Sequence, residues 1–176
     1  VAYRDASFRR YQYHIEPTWQ GGIYASNGLA GSRSGGLIAA TWAAMVRYGR
    51  EGYLRYAKQI FETSFRMQDA VKSHGELKLM GNPTFCFAFR SDEFNIYHVN
   101  DFMKTRGWRF NGQQHPAAIH MCVTRPQTRE GIAAAFETDL QEAVPYALDN
   151  RDTEPKSSAI YGGGAAGIPM DSPEAI

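Results

Sequence analysis

From Leu37 to Tyr48 the chain reads LIAATWAAMVRY. Residues apolar on nearly every side of a helix of that length predict burial all round rather than a surface position. Ser34 is placed to cap its start and Gly49 to stop it. A second helix is marked by Leu54, Ala57, Phe61, Ser64, Phe65, Gln68 and Val71, a three-four spacing that Gly75 ends. Two strands follow, Leu77 to Met80 and Thr84 to Phe89, joined through Gly81, Asn82 and Pro83. Alternation sets Phe85, Phe87 and Phe89 on one face of the second strand, as a core stripe. Ile96, Val99, Phe102 and Met103 define a short helix closed by Gly107, and Trp108 to Asn111 and Ala118 to Thr124 read as two more strands. Ile132, Ala135, Phe136, Leu140, Ala143, Val144 and Leu148 mark a last helix. The tail from Asp149 is polar and then runs through AIYGGGAAGIP, too glycine-rich for an element unless something packs over it.

Helix, helix, strand, strand, helix, strand, strand, helix is an order best satisfied by helices on one face of a small, mainly antiparallel sheet, an α+β layer. Residues 1 to 36 stand apart. Val1 to Ile15 reads as a strand end and an irregular arm, and so long a segment without regular structure is expected to be functional or packed on another part of the protein.

Composition narrows the classes. With 176 residues, 43% of them hydrophobic, the chain can bury one good core. Nineteen Lys plus Arg against 18 Asp plus Glu give a net charge of +1, which leaves no basic field to hold nucleic acid. Cys86 and Cys122 are too few for a disulfide framework and are expected as free buried thiols in a reducing compartment. No apolar run is long enough to span a membrane and no signal or transit peptide opens the chain, so a cytoplasmic location is expected. The missing initiator Met raises the expectation that the chain is a piece of something longer.

The chemistry concentrates between Trp19 and Gly36, WQGGIYASNGLAGSRSGG. A Gly-Ser-Arg-Ser-Gly-Gly run before a helix offers backbone N–H groups, two hydroxyls and a guanidinium where the helix dipole favours negative charge. A phosphate suits that set, although a purely structural loop has the same glycine content. No Walker signature follows, and no GxGxxG follows a strand. His115 and His120 are spaced like metal ligands, but no Glu follows the first as in HExxH, and structural roles are expected. His14, His74 and His98 give no constellation, Cys86 has no neighbour that would mark a nucleophile, and the arginines and tyrosines of SFRRYQYH read as an interface or a solvated face.

The run YQYHIEPTWQGGIYASNGLAGSRSGGLIAATWAAMVRYGREGY resembles a segment of the sphingosine-1-phosphate lyases, a family of the pyridoxal-phosphate-dependent decarboxylase superfamily. GNPTFCFAFRSDEFNIYHVNDFMKTRGW, HPAAIHMCVT and AIYG continue the resemblance in the same order, over nearly the whole chain. The resemblance implies an α/β fold: the C-terminal part of a fold type I, aspartate-aminotransferase-like enzyme ending in a small α+β domain. Residues 1–36 would be the edge of the large cofactor domain with an interface loop, 37–73 connecting helices, 74–150 the small domain and 151–176 a tail.

It also implies pyridoxal 5'-phosphate as cofactor, with a Schiff-base lysine upstream of Val1; none of Lys58, Lys72, Lys78, Lys104 or Lys156 stands in its place. The implied enzyme is a homodimer with shared active sites. Ser32 and Gly31 would meet the cofactor phosphate of the other subunit, and Arg33 would assist by charge or form an interface salt bridge. Tyr24 and Ser26 would line the substrate channel. The implied reaction cleaves the C2–C3 bond of a phosphorylated long-chain base to phosphoethanolamine and a fatty aldehyde. Two alternatives stand beside it: a decarboxylase of amino acids in the same superfamily, and a noncatalytic module that binds a phosphorylated ligand through residues 31 to 36.

Overall fold

The computed structural model describes residues 3–28 and 31–157. The AIYGGGAAGIP run and its AIYG motif lie outside the described residues, as do Leu29 and Ala30. Two compact units divide the chain, Val1–Arg50 and Glu51–Ile176.

In the first unit a short helix, α1 (Ala6–Arg9), begins where the Asp5 carboxylate accepts from the Ser7 N–H at 2.7 Å. A 3-10 turn, Arg10–Gln12, leads into an antiparallel hairpin of β1 (His14–Glu16) and β2 (Tyr24–Ser26), with Ile15 opposite Ala25. This corrects the expectation that residues 1 to 36 lack regular structure. Strands of three residues are too short to show an alternation, so the pairing left no periodic signal in the sequence.

The two helices expected from the sequence both form within Gly35–Lys72, labelled together α2, and meet at Gly49. Gly49 interrupts α2 with φ 58° and ψ −179°, a backbone region that is nearly exclusive to glycine. Gly49 thus ends the first helix, as the sequence suggested, and the second helix begins beyond it. The expectation of burial all round is corrected for the first turns of α2: Leu37, Ile38, Trp42, Met45 and Val46 are all exposed, Trp42 at 66%. The apolar pattern is real, and the described residues do not cover it.

The second unit is the expected layer. Strands β3 (Leu77–Leu79), β4 (Cys86–Ser91), β5 (Asn111–Gln113) and β6 (Ala118–Cys122) form one antiparallel sheet in the order β3-β4-β6-β5. Phe87, Phe89, Ile119 and Met121 turn one face of it to the core. Val99 and Met103 of α3 (Tyr97–Thr105), Phe136, Leu140, Ala143 and Val144 of α4 (Ile132–Asp149), and Met67 and Val71 of α2 complete that core. Burying each of the larger side chains stabilises the fold by about 2 kcal/mol. The Phe136 ring meets Phe87 edge to face at 6.4 Å and Trp108 at 5.3 Å.

The phenylalanine stripe is buried only in part. Phe87 and Phe89 belong to the core, whereas Phe85 precedes the strand, is 44% exposed and packs edge-on against Phe61 at 6.2 Å. Polar ties hold the layer together where apolar contact ends. The Trp108 indole donates to Asp139 at 2.7 Å, and the Asp101 carboxylate accepts from the Lys156 N–H at 2.6 Å and the Ser157 hydroxyl at 2.5 Å. Buried His98 brings Nε2 within 3.0 Å of the Thr153 carbonyl, so the stretch after α4 is held at both Thr153 and Ser157.

Candidate phosphate-binding loop

The candidate residues all fall in the first unit, on β2 and on the segment between β2 and α2. The turn before β2 is built by the WQGG motif. Gly22 donates its N–H to the Trp19 carbonyl at 3.0 Å and sits at φ 112°. The Trp19 ring lies over the α-carbon of Gly21, where an added methyl would come within 2.5 Å of it. The same indole meets the Tyr24 ring edge to face at 6.0 Å. Gly21 is thus the residue that lets Trp19 fold back onto its own turn.

Tyr24 and Ser26 are two positions apart on β2 and therefore project from the same face of the hairpin. The Ser26 hydroxyl donates to the Gly28 carbonyl at 2.6 Å, while Gln12 donates its side-chain amide to the Asn27 carbonyl at 2.6 Å. Those two contacts tie down Asn27 and Gly28 at the end of β2. Glu16, opposite Tyr24, accepts from both the N–H and the hydroxyl of Thr18, and these bonds hold its carboxyl below the usual carboxylate range.

Gly31, Ser32, Arg33 and Ser34 are consecutive, exposed and without helical or strand structure, and α2 begins directly after them. Leu37 donates its N–H back to the Ser34 carbonyl at 3.2 Å, which places Ser34 at the helix entry as the sequence suggested. The first N–H groups of a helix have no acceptor within it, and they carry the positive end of its dipole. Two hydroxyls, one guanidinium and these N–H groups therefore stand within a few residues of one another. Among the described residues nothing lies within 4 Å of where a side chain would start on Gly31, which leaves room there for a ligand. The donor set fits a phosphate, including that of pyridoxal 5'-phosphate.

The second unit holds a cluster that sequence reading did not foresee. Cys86 and Cys122 are direct partners across β4 and β6, with their sulfurs 3.0 Å apart. Both are free, as expected, but both are exposed rather than buried, because they occupy the sheet face opposite the helices. Desolvation, and then the neighbouring Cys122, push the Cys86 thiol up to about 11. Their alternation within each strand was visible, whereas the strand register that joins them was not. His120 lies opposite Ala88, with Nε2 3.4 Å from the Asn111 amide, and Nδ1 is buried with no described partner.

Comparison with known proteins adds what this geometry does not supply. No family model matches the chain. Sphingosine-1-phosphate lyase 1 of Rattus norvegicus is 38% identical over 164 residues, 92% of this chain but 29% of the rat protein. The solved structure of a sphingosine-1-phosphate lyase from Burkholderia pseudomallei superimposes with a TM-score of 0.76 at 65% identity, covering 85% of this chain and 34% of that one. Glutamate decarboxylase of Lactobacillus brevis shares the fold at a TM-score of 0.58 and 15% identity, over 82% of this chain. The chain thus spans about a third of the length of the proteins it matches. Its fold is that of the C-terminal part of a fold type I enzyme, an α/β architecture ending in a small antiparallel α+β layer. Motif, fold and identity agree: this chain belongs to the sphingosine-1-phosphate lyase family, as its C-terminal portion.

Proposed function

We propose that the chain is part of a pyridoxal-phosphate-dependent carbon–carbon lyase that cleaves the C2–C3 bond of a phosphorylated long-chain base to phosphoethanolamine and a fatty aldehyde. The observation that carries this reading is the 65% identity to the Burkholderia pseudomallei lyase over 85% of the chain. The fold shared with a decarboxylase comes at 15% identity, which supports common architecture and not a common reaction.

In this reading Ser32 donates its hydroxyl to the cofactor phosphate, and the N–H groups at the start of α2 add to it. Gly31 keeps the backbone bare for a close approach, and Arg33 contributes positive charge. When bound, the cofactor supplies an electron sink for the pair released as the carbon–carbon bond breaks. Tyr24 and Ser26 line the path by which substrate enters, Ser26 with its hydroxyl held by Gly28. The covalent anchor for the cofactor is a lysine outside these 176 residues, so the chain by itself turns nothing over. The enzyme is a homodimer with shared sites, and the exposed apolar turns of α2 are covered by the rest of the assembly.

Dialysing the intact protein free of cofactor and assaying a phosphorylated long-chain base tests the reading. Turnover should vanish and return on addition of pyridoxal phosphate; turnover indifferent to the cofactor would overturn it.

A further inference from the structure

We propose that Cys86 and Cys122 form a site of reversible oxidation, closing to a cross-strand disulfide by exchange with a low-molecular-weight disulfide. The strand register carries the inference. Val123 donates its N–H to the Phe85 carbonyl at 2.8 Å, and with Cys86 opposite Cys122 that makes Phe85 and Val123 a hydrogen-bonded pair. Antiparallel strands alternate, so Cys86 and Cys122 occupy a non-hydrogen-bonded pair, where α-carbons lie roughly 4.5 Å apart. That separation falls inside the span of roughly 4.4–6.8 Å that a disulfide bridges without backbone movement. The thiols already face each other at 3.0 Å, a distance at which one sulfur can attack a bond on the other. Both side chains are exposed on the sheet face away from the helices, so a small reagent can reach them.

The chemistry closes in two displacements. The thiolate of one cysteine attacks the disulfide of oxidised glutathione, its S–S bond breaks, and one glutathione leaves as a mixed disulfide forms. The second cysteine's thiolate then attacks the protein-side sulfur of that mixed disulfide, the Cys86–Cys122 bond forms and the second glutathione leaves. The two cysteine protons end on two glutathione thiols, and two electrons pass from the protein to the reagent. Because partial desolvation beside the strand and the neighbouring thiol hold Cys86 mostly protonated at neutral pH, closure should speed up as pH rises.

The test is thiol mapping on the intact, reduced protein, which is independent of substrate turnover. After exposure to oxidised glutathione and trapping with N-ethylmaleimide, digestion should yield a Cys86–Cys122 cross-linked peptide. That peptide should exceed mixed disulfides at these positions by roughly tenfold or more, since the second step is intramolecular. It should revert with dithiothreitol. In Cys122→Ser the first step has no successor, so glutathione should accumulate on Cys86, and Cys86→Ser should trap it on Cys122. Wild-type protein that retains both cysteines as maleimide adducts, or as glutathione mixed disulfides without the cross-link, would overturn the proposal.

Discussion

Gln68 of α2 donates its side-chain amide to the backbone carbonyl of Thr84 at 2.7 Å, inside the core and only 3% exposed. Ser64, one turn earlier and fully buried, donates its hydroxyl to the same carbonyl at 2.7 Å and accepts from Gln68 at 3.0 Å. A helix thus fastens the bend that leads into β4 through two polar side chains set among apolar ones. Gln68→Ala removes two hydrogen bonds and leaves a small void, so it should destabilise the protein by about 2–3 kcal/mol. Gln68→Ala combined with Ser64→Ala should cost a different amount from the sum of the single changes, because they share one acceptor. Denaturant titration of the three variants measures both; strict additivity would argue against a shared network.

These two residues also mark how far the sequence could be read. Their places in the three-four pattern put Ser64 and Gln68 on the buried face of the helix, yet nothing in the pattern names Thr84 as their partner, since that contact depends on tertiary placement. The sheet was legible from the alternation of Phe87, Phe89, Ile119 and Met121, although the boundaries of β4 and β5 lie two to three residues later than read. The β1–β2 hairpin was not legible because each strand has only three residues. At the candidate loop the donor chemistry of Gly31, Ser32 and Arg33 was plain from residue types, while their link to pyridoxal phosphate came from the wider motif.

Ser32→Ala in the intact protein should weaken retention of pyridoxal phosphate by about tenfold, the worth of one hydrogen bond to a charged acceptor. The fold should be unchanged, because Ser32 is exposed and contributes nothing to the core. Equilibrium dialysis of the cofactor against both proteins is the measurement. Equal affinities would remove Ser32 from the site.

Asp92 pairs with Lys78 at 2.5 Å and with Arg90. The hydrogen bond from Lys78 is the largest cause holding its carboxyl below the usual range. A carboxyl with a lowered folded pKa contributes stability above its unfolded value, near pH 4, and loses it as pH falls through the folded value. Asp92→Asn should therefore lower Tm slightly at neutral pH and leave it unchanged in strong acid, with the effect shrinking in high salt. A difference that persists below the folded pKa would point to a cause other than charge.

Trp42 stands 66% exposed among Leu37, Ile38, Met45 and Val46. If the assembled enzyme covers this face, Trp42→Lys should lower the yield of folded, cofactor-bound intact protein severalfold, since an unpaired charge would be buried. The same change in the 176-residue chain alone should improve solubility by breaking an exposed apolar patch. Size-exclusion chromatography and yield report both effects. No loss in the intact protein would mean that the face stays open to solvent.

The most direct measurement is product identification with the intact protein, pyridoxal phosphate and a phosphorylated long-chain base, alongside glutamate as a competing substrate. The account predicts phosphoethanolamine and a long-chain aldehyde in equal amounts, with no carbon dioxide released from glutamate. Carbon dioxide from glutamate, with the phosphorylated base recovered whole, would contradict it.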